Sequence, residues 1–325
     1  MTRFVTREDF IDLLHKFKQR GLGFLLSKFN FHGIKRTELA FSQLDYNSAD
    51  WWIIPKVRQR WNQLITGDPE IDYIKYFVNN HLKNKKEIRL ISLGSGLCLK
   101  ELELAEYSNF TKITCVDISK TRMLEAKKKA SESNLTNIEF ICADAYEFDI
   151  PSEYYDIVFF QASLHHFDRM EQFIQNTIKN CLKLNGLLVI NEYVGANRLQ
   201  FPKNQIVSIN EAIKVIPKEF RKRHVSNLLK RRYFGSGVLR MIISDPSECV
   251  DSESILPAIH SNFQTVVEKP YGGNILMSAL KDISHHFIEM TPKKNRILDE
   301  LFLLEDEYIS SNSSDFIFGI YQKVQ

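Results

Sequence analysis

The segment Ile88–Cys98, IRLISLGSGLC, limits the possible folds more than any other part of the chain. Its apolar run breaks into Gly94-Ser95-Gly96 and is followed by a helical pattern. It therefore reads as a buried strand ending in a glycine turn through which backbone can approach a ligand closely. The next strand-like run, Lys112–Asp117, stops at a carboxylate twenty-one positions after Gly96, a spacing that suits an acid reaching a ribose hydroxyl. Together the two runs predict a nucleoside-containing cofactor at the carboxyl edge of a parallel sheet.

A dinucleotide fits this pattern poorly. Its pyrophosphate calls for a third glycine three residues after the second, and that position is Leu99. S-adenosylmethionine carries adenosine on a methionyl sulfonium, so two glycines and a ribose-binding acid suffice. Further along, Asn137–Ala145 is another strand ending in an acid, Asp144, placed where a carboxylate can accept from an adenine amino group. Tyr155–Phe167 is a strand running into a polar loop, and Asn185–Gly195 is a fifth strand introduced by a turn. With L-G-S-G, V-D, A-D-A, D-I-V-F-F-Q-A-S-L-H-H and N-G-L-L-V-I-N-E in that order over roughly residues 86 to 195, the chain resembles class I S-adenosylmethionine-dependent methyltransferases of the small-molecule type.

The resemblance implies a Rossmann-like α/β fold: a seven-stranded, mostly parallel sheet with helices on both faces and an antiparallel last strand. It implies that Gly94, Ser95 and Gly96 form the methionyl and ribose turn, that Asp117, with Ile118 beside it, binds the ribose, that Asp144 and Ala145 frame adenine, and that Gln161 lines the site. At 325 residues and 44% hydrophobic content, one catalytic domain at 85–325 with a helical N-terminal cap at 1–84 is expected rather than two independent domains. A net charge of +3 gives no global reason to propose nucleic acid. No signal-peptide core and no apolar run of membrane-spanning length is apparent, so a cytoplasmic protein is expected. The five cysteines form no C-x-x-C pair; with Cys115 and Cys142 in strands expected to be buried, they read as reduced packing residues.

In the cap, Phe10, Ile11, Leu13, Leu14 and Phe17 are spaced as one helix face, and Gly21-Leu22-Gly23 marks a break. Trp51, Trp52 and Trp61 allow two readings: anchors for the cap, or neighbours of Arg58 or Arg60 set near the methionyl carboxylate. An insertion at about 196–262 is expected to be a helical lid over the methyl group. It carries Arg198, a candidate for binding substrate, and the basic stretches Arg221–His224 and Lys230–Tyr233. Those stretches read either as a solvated face or, through Arg221 and Arg231, as a hold for an anionic or carrier-bound acceptor.

Methyl transfer from a sulfonium asks the protein to position the acceptor, exclude water and remove a proton where needed. His165 and His166 after the fourth strand, and Glu192 and Tyr193 at the end of the fifth, are the candidates at the crevice rim. His166 is favoured as base, with Glu192 orienting it or contacting the acceptor. The pairs His165-His166 and His285-His286 invite a metal, but the spacing shows no further ligands, so none is expected. O-methylation of a small or medium-sized acceptor is the favoured activity. The alternatives are a cofactor-binding protein without turnover that serves a partner, and a nicotinamide-dependent oxidoreductase.

Overall fold

The computed structural model describes residues 2–14, 50–226 and 228–324; Phe17 and Gly21-Leu22-Gly23 lie outside them. Residues 7–14 are helical. Helix α1 (Pro55–Thr66) begins on Pro55, whose missing N–H costs nothing in a first turn, and ends at Gly67 with φ +86°. Helix α2 (Tyr73–His81) is capped by the Asp72 side chain, which accepts from Lys75 N. There follow β1 (Ile88–Leu93), α3 (Leu99–Ala105), β2 (Phe110–Asp117), α4 (Lys120–Glu132), β3 (Ile138–Cys142), β4 (Tyr155–Gln161), α5 (Met170–Phe173), β5 (Leu182–Tyr193), α6 (Lys203–Val215), α7 (Val238–Ser244) and α8 (Ile255–Asn262). The chain closes with β6 (Gln264–Gly272), α9 (Leu276–Leu280), α10 (Pro292–Ile309) and β7 (Phe316–Gln322).

The strands form one sheet in the order β3-β2-β1-β4-β5-β7-β6. β7 runs antiparallel to β5 and β6 while the neighbours among β1 to β5 are parallel, as the resemblance implied. Because side chains alternate along a strand, each central strand feeds two cores. Leu90, Ile113, Phe159 and Val189 pack on one face with Ile74 and Phe77 of α2. Ile91, Val116, Phe160 and Ile190 pack on the other with Ile255 and Ile259 of α8. Helices α2 and α8, at the inner margins of the expected cap and lid, are thus layers of the sheet domain itself.

A third core joins Trp51 and Val57 to α6, α9 and α10. Trp51 is buried, with its ring 4.6 Å from that of Trp61, which is the anchoring reading of these tryptophans; Trp52 is exposed. The N-terminal residues are tied down by charge: Asp9 and Asp12 pair with Arg240, and Glu8 with Arg223. All five cysteines are free thiols, and four are buried. Cys142 is exposed, contrary to expectation, because it ends β3 at the edge of the sheet.

Candidate active site

The register brings the carboxyl ends of the parallel strands level: Leu93 lies opposite Val116, and Asp117 opposite Cys142. Chain order reverses between β1 and β4, and open α/β sheets bind ligands in the crevice at such a point. A cavity of about 520 Å³ occupies it. Gly94 after β1, Asp117 and Ile118 after β2, Asp144 and Ala145 after β3, and Ala162, Ser163 and His166 after β4 all line it.

The glycine turn is held by Asp117. Its Oδ2 accepts from Gly96 N at 2.8 Å and its Oδ1 from Ser119 N at 2.8 Å. A carboxylate has about four lone-pair sites, so each oxygen keeps one for a ligand hydroxyl. Gly94 has φ +68°, and a Cβ there would stand 3.2 Å from Ser163 Cβ, so the turn requires glycine for both conformation and space. Ser95 and Gly96 form the back of the turn, where Ser95 Oγ donates to Val116 O. Arg122 also lines the cavity, with Nη1 3.3 Å from the place of a Cβ on Gly96. This pattern of acid, glycine turn and second acid fits an adenosine-containing cofactor.

The two adjacent histidines have different settings. Glu192 is wholly buried. It accepts from Ser163 N, from Leu164 N at 2.6 Å, from Tyr193 N at 3.0 Å and from His165 Nδ1 at 2.7 Å. It therefore orients His165 and not His166, and its two oxygens already accept four hydrogen bonds from the chain itself. Burial pulls the His165 imidazole down, but Glu192, then Glu248 and Asp245, more than offset this and hold it at about 9. His166 is held below the ordinary histidine value by burial and by its neighbour His165. Its Nδ1 lies 3.1 Å from Ser247 Oγ, which donates its own proton to Asp245 Oδ1 at 2.6 Å. His166 Nδ1 is therefore the donor, leaving Nε2 as the acceptor nitrogen of a ring on the cavity wall.

Several sequence-derived candidates lie elsewhere. Arg60 is not at the cavity: its Nη2 is 2.6 Å from Asp306 on α10, and its guanidinium lies over Phe302. Gln161 accepts from the Tyr73 hydroxyl and from Asn191 Nδ2, and is absent from the lining. Tyr193 is buried and donates to Ala196 O at 2.9 Å. Arg198 supports a loop, its Nη1 donating to Glu248 O at 2.9 Å. Arg221 and Arg231 do not reach the cavity. Within their cluster Arg223 is buried on Glu8 and Asp282, and Lys230, driven to about 7 by burial, donates to Ser278 O and Lys281 O. The structure adds lining residues that the sequence gave no reason to choose: Tyr146, Asp168 and Arg169 on one side, and Pro246, Ser247 and Val250 of the insertion on the other.

A family profile described as "Methyltransferase domain" matches residues 91–190. No curated protein matches the sequence. Among solved structures, geranyl diphosphate C-methyltransferase from Streptomyces coelicolor A3(2), in complex with Mg2+, geranyl diphosphate and S-adenosyl-L-homocysteine, is similar with TM-score 0.54 at 11% identity, covering 90% of this chain and 97% of that one. The same enzyme with geranyl-S-thiolodiphosphate gives TM-score 0.50 at 10% identity, covering 91% and 99%. At such identities the likeness is one of fold. With the family match, the strand order and the site at the strand ends, the chain carries a class I S-adenosylmethionine-dependent methyltransferase domain. No helix among the described residues is long and apolar enough to cross a membrane.

Proposed function

We propose that the protein methylates an oxygen nucleophile on a small or medium-sized acceptor held against His166. Bound S-adenosylmethionine supplies an electrophilic methyl group on a sulfonium that is its own leaving group. Asp117 offers its remaining lone pairs to the ribose hydroxyls, Ile118, Asp144 and Ala145 frame the adenine, and the Gly94–Gly96 turn admits the methionyl end. With the cofactor bound, the acceptor's oxygen would take the methyl carbon as the methyl–sulfur bond broke with its pair going to sulfur, leaving S-adenosylhomocysteine, and the chain's part would be to take the acceptor's proton at His166 Nε2.

The observation that carries this reading is the His166–Ser247–Asp245 chain, which keeps the proton on Nδ1 and supports a base at Nε2. Neither Arg221 nor Arg231 supports an anionic or carrier-bound acceptor, since neither reaches the cavity. Single-turnover methylation with methyl-labelled cofactor, across hydroxyl, phenol and amine acceptors, tests the proposal. His166→Asn is expected to lower the rate on hydroxyl acceptors by about 10²–10⁴ while S-adenosylhomocysteine affinity in calorimetry persists. Wild-type turnover in that variant, or acceptance of amines alone, overturns it.

A further inference from the structure

The insertion contributes more than cavity wall. Segment 245–251 is fastened to the loop after β4: Val250 N donates to His165 O at 3.2 Å, and Met170 N to Asp251 Oδ2 at 2.9 Å. Arg198 holds the same segment from the other side, through Cys249 O at 2.7 Å and Glu248 O at 2.9 Å. The Glu248 carboxylate is thereby set against both histidines, its Oε1 3.9 Å from His165 Nε2 and its Oε2 4.0 Å from His166 Nε2. Among the described residues this is the one group of three such side chains whose ligand atoms fall within 4.8 Å of one another.

Both rings present Nε2 for the same reason. Metal-binding histidines generally give their other nitrogen's proton to a carboxylate, carbonyl or water, which fixes tautomer and ring orientation. Here His165 Nδ1 donates to the buried Glu192, and His166 Nδ1 to Ser247, itself anchored on Asp245. Two nitrogens, each already oriented from behind, converge with the Glu248 carboxylate, and the carboxylates of Glu192, Glu248 and Asp245 gather around two imidazoles. On tetrahedral zinc, with bonds of about 2.0–2.1 Å, ligand atoms stand about 3.3 Å apart, so the three ligand atoms, all within 4.8 Å of one another, close by at most about 1.5 Å on binding.

We propose that His165, His166 and Glu248 form a binding site for a divalent transition cation of the zinc class at the wall of the methyl-transfer cavity. Two imidazoles and a carboxylate leave a coordination position open, as in catalytic zinc sites, and a cation there acidifies a bound hydroxyl. The two uses of His166 Nε2 exclude each other: in the metal-free protein it is the base of the proposed reaction, and in the loaded protein it is a ligand and the proton of the metal-bound hydroxyl leaves to solvent. The cation's use depends on the oxygen-methylation reading; the site itself does not.

The test uses the full chain after dialysis against a chelator. Equilibrium dialysis with zinc(II), read by elemental mass spectrometry, is expected to give one equivalent per chain. Cobalt(II) is expected to develop the intense visible bands of a four-coordinate ion. Glu248→Gln and His166→Asn should each bind zinc more than tenfold more weakly. Ser247→Ala, a small change outside the ligand set, should weaken it about 10–100-fold and keeps the test valid if a ligand variant fails to fold. Calorimetry with S-adenosylhomocysteine runs in parallel. Zinc bound equally by wild type and all three variants, or no zinc bound by a wild type that still binds S-adenosylhomocysteine, overturns the site. Stoichiometric zinc lost in the variants, with no S-adenosylhomocysteine bound, upholds the site and overturns the methyl-transfer reading instead.

Discussion

Asp117→Asn separates two tasks that one carboxylate performs. In the wild type each oxygen accepts from a different backbone N–H, Gly96 on Oδ2 and Ser119 on Oδ1, both at 2.8 Å. An amide of the same shape has one oxygen, so its NH2 must face one of those donors and leave it unpaired. A buried donor without a partner costs about 1–3 kcal/mol, and a hydrogen bond to a charged group contributes about 1.5–3 kcal/mol. If ribose binding loses one such charge-assisted bond, the dissociation constant of S-adenosylhomocysteine rises roughly 10- to 150-fold. Calorimetry measures this, and a 2′-deoxyribose analogue of the ligand divides the effect. In a double-mutant cycle, deleting the hydroxyl should cost the wild type more than the variant. Unchanged affinity in Asp117→Asn refutes the role altogether. Equal losses for both ligands would show that Asp117 acts only by holding the glycine turn.

Glu101 is buried against Ser92 Oγ, and desolvation raises its carboxyl to about 7. Because an unfolded glutamate titrates near 4.3, the unfolded chain binds fewer protons between these values. The contribution of Glu101 to stability is therefore fullest below about pH 4 and is lost as pH rises towards 7. Glu101→Gln should remove that slope, gaining on the order of 3 kcal/mol at pH 7 and little near pH 4; parallel stability curves in urea at the two pH values would contradict this. Arg223→Met leaves the carboxylates of Glu8 and Asp282 without their buried guanidinium and should cost about 3–5 kcal/mol with S-adenosylhomocysteine affinity intact. A loss under about 1 kcal/mol would mean the pair is solvated. Arg60→Ala should leave S-adenosylhomocysteine affinity unchanged and cost no more than about 1 kcal/mol, since its partner Asp306 is half exposed; a tenfold fall in affinity would restore Arg60 to the methionyl carboxylate.

The cofactor half of the site was legible because its signals are local. Gly94, Asp117, Asp144 and Ala145 sit at strand ends that continuous apolar runs mark out, and the parallel register lines up those ends. Placing His166 at the rim followed from the same logic, since it lies a few residues past β4. Distant charge pairing was not legible: Arg60 and Arg223 look like free cations in sequence, yet Asp306 lies 246 residues from Arg60, and Glu8 and Asp282 lie 215 and 59 residues from Arg223. A run of basic residues does not show which members fold inward. Arg223 and Lys230 are buried in a stretch whose pattern also suited a solvated face.

By itself the sequence determined the alternation of strands and helices, the glycine turn and the acids that frame a nucleoside, because backbone conformation and side-chain periodicity act over a few residues. Only the tertiary structure decided what the two histidines face. Glu192 lies 27 residues from His165, and Ser247 lies 81 residues from His166. The insertion folds back so that Glu248 meets both rings. Hydrogen bonds and ion pairs form between groups close in space, and closeness across such separations is set by how helices and sheet pack, which no local pattern records.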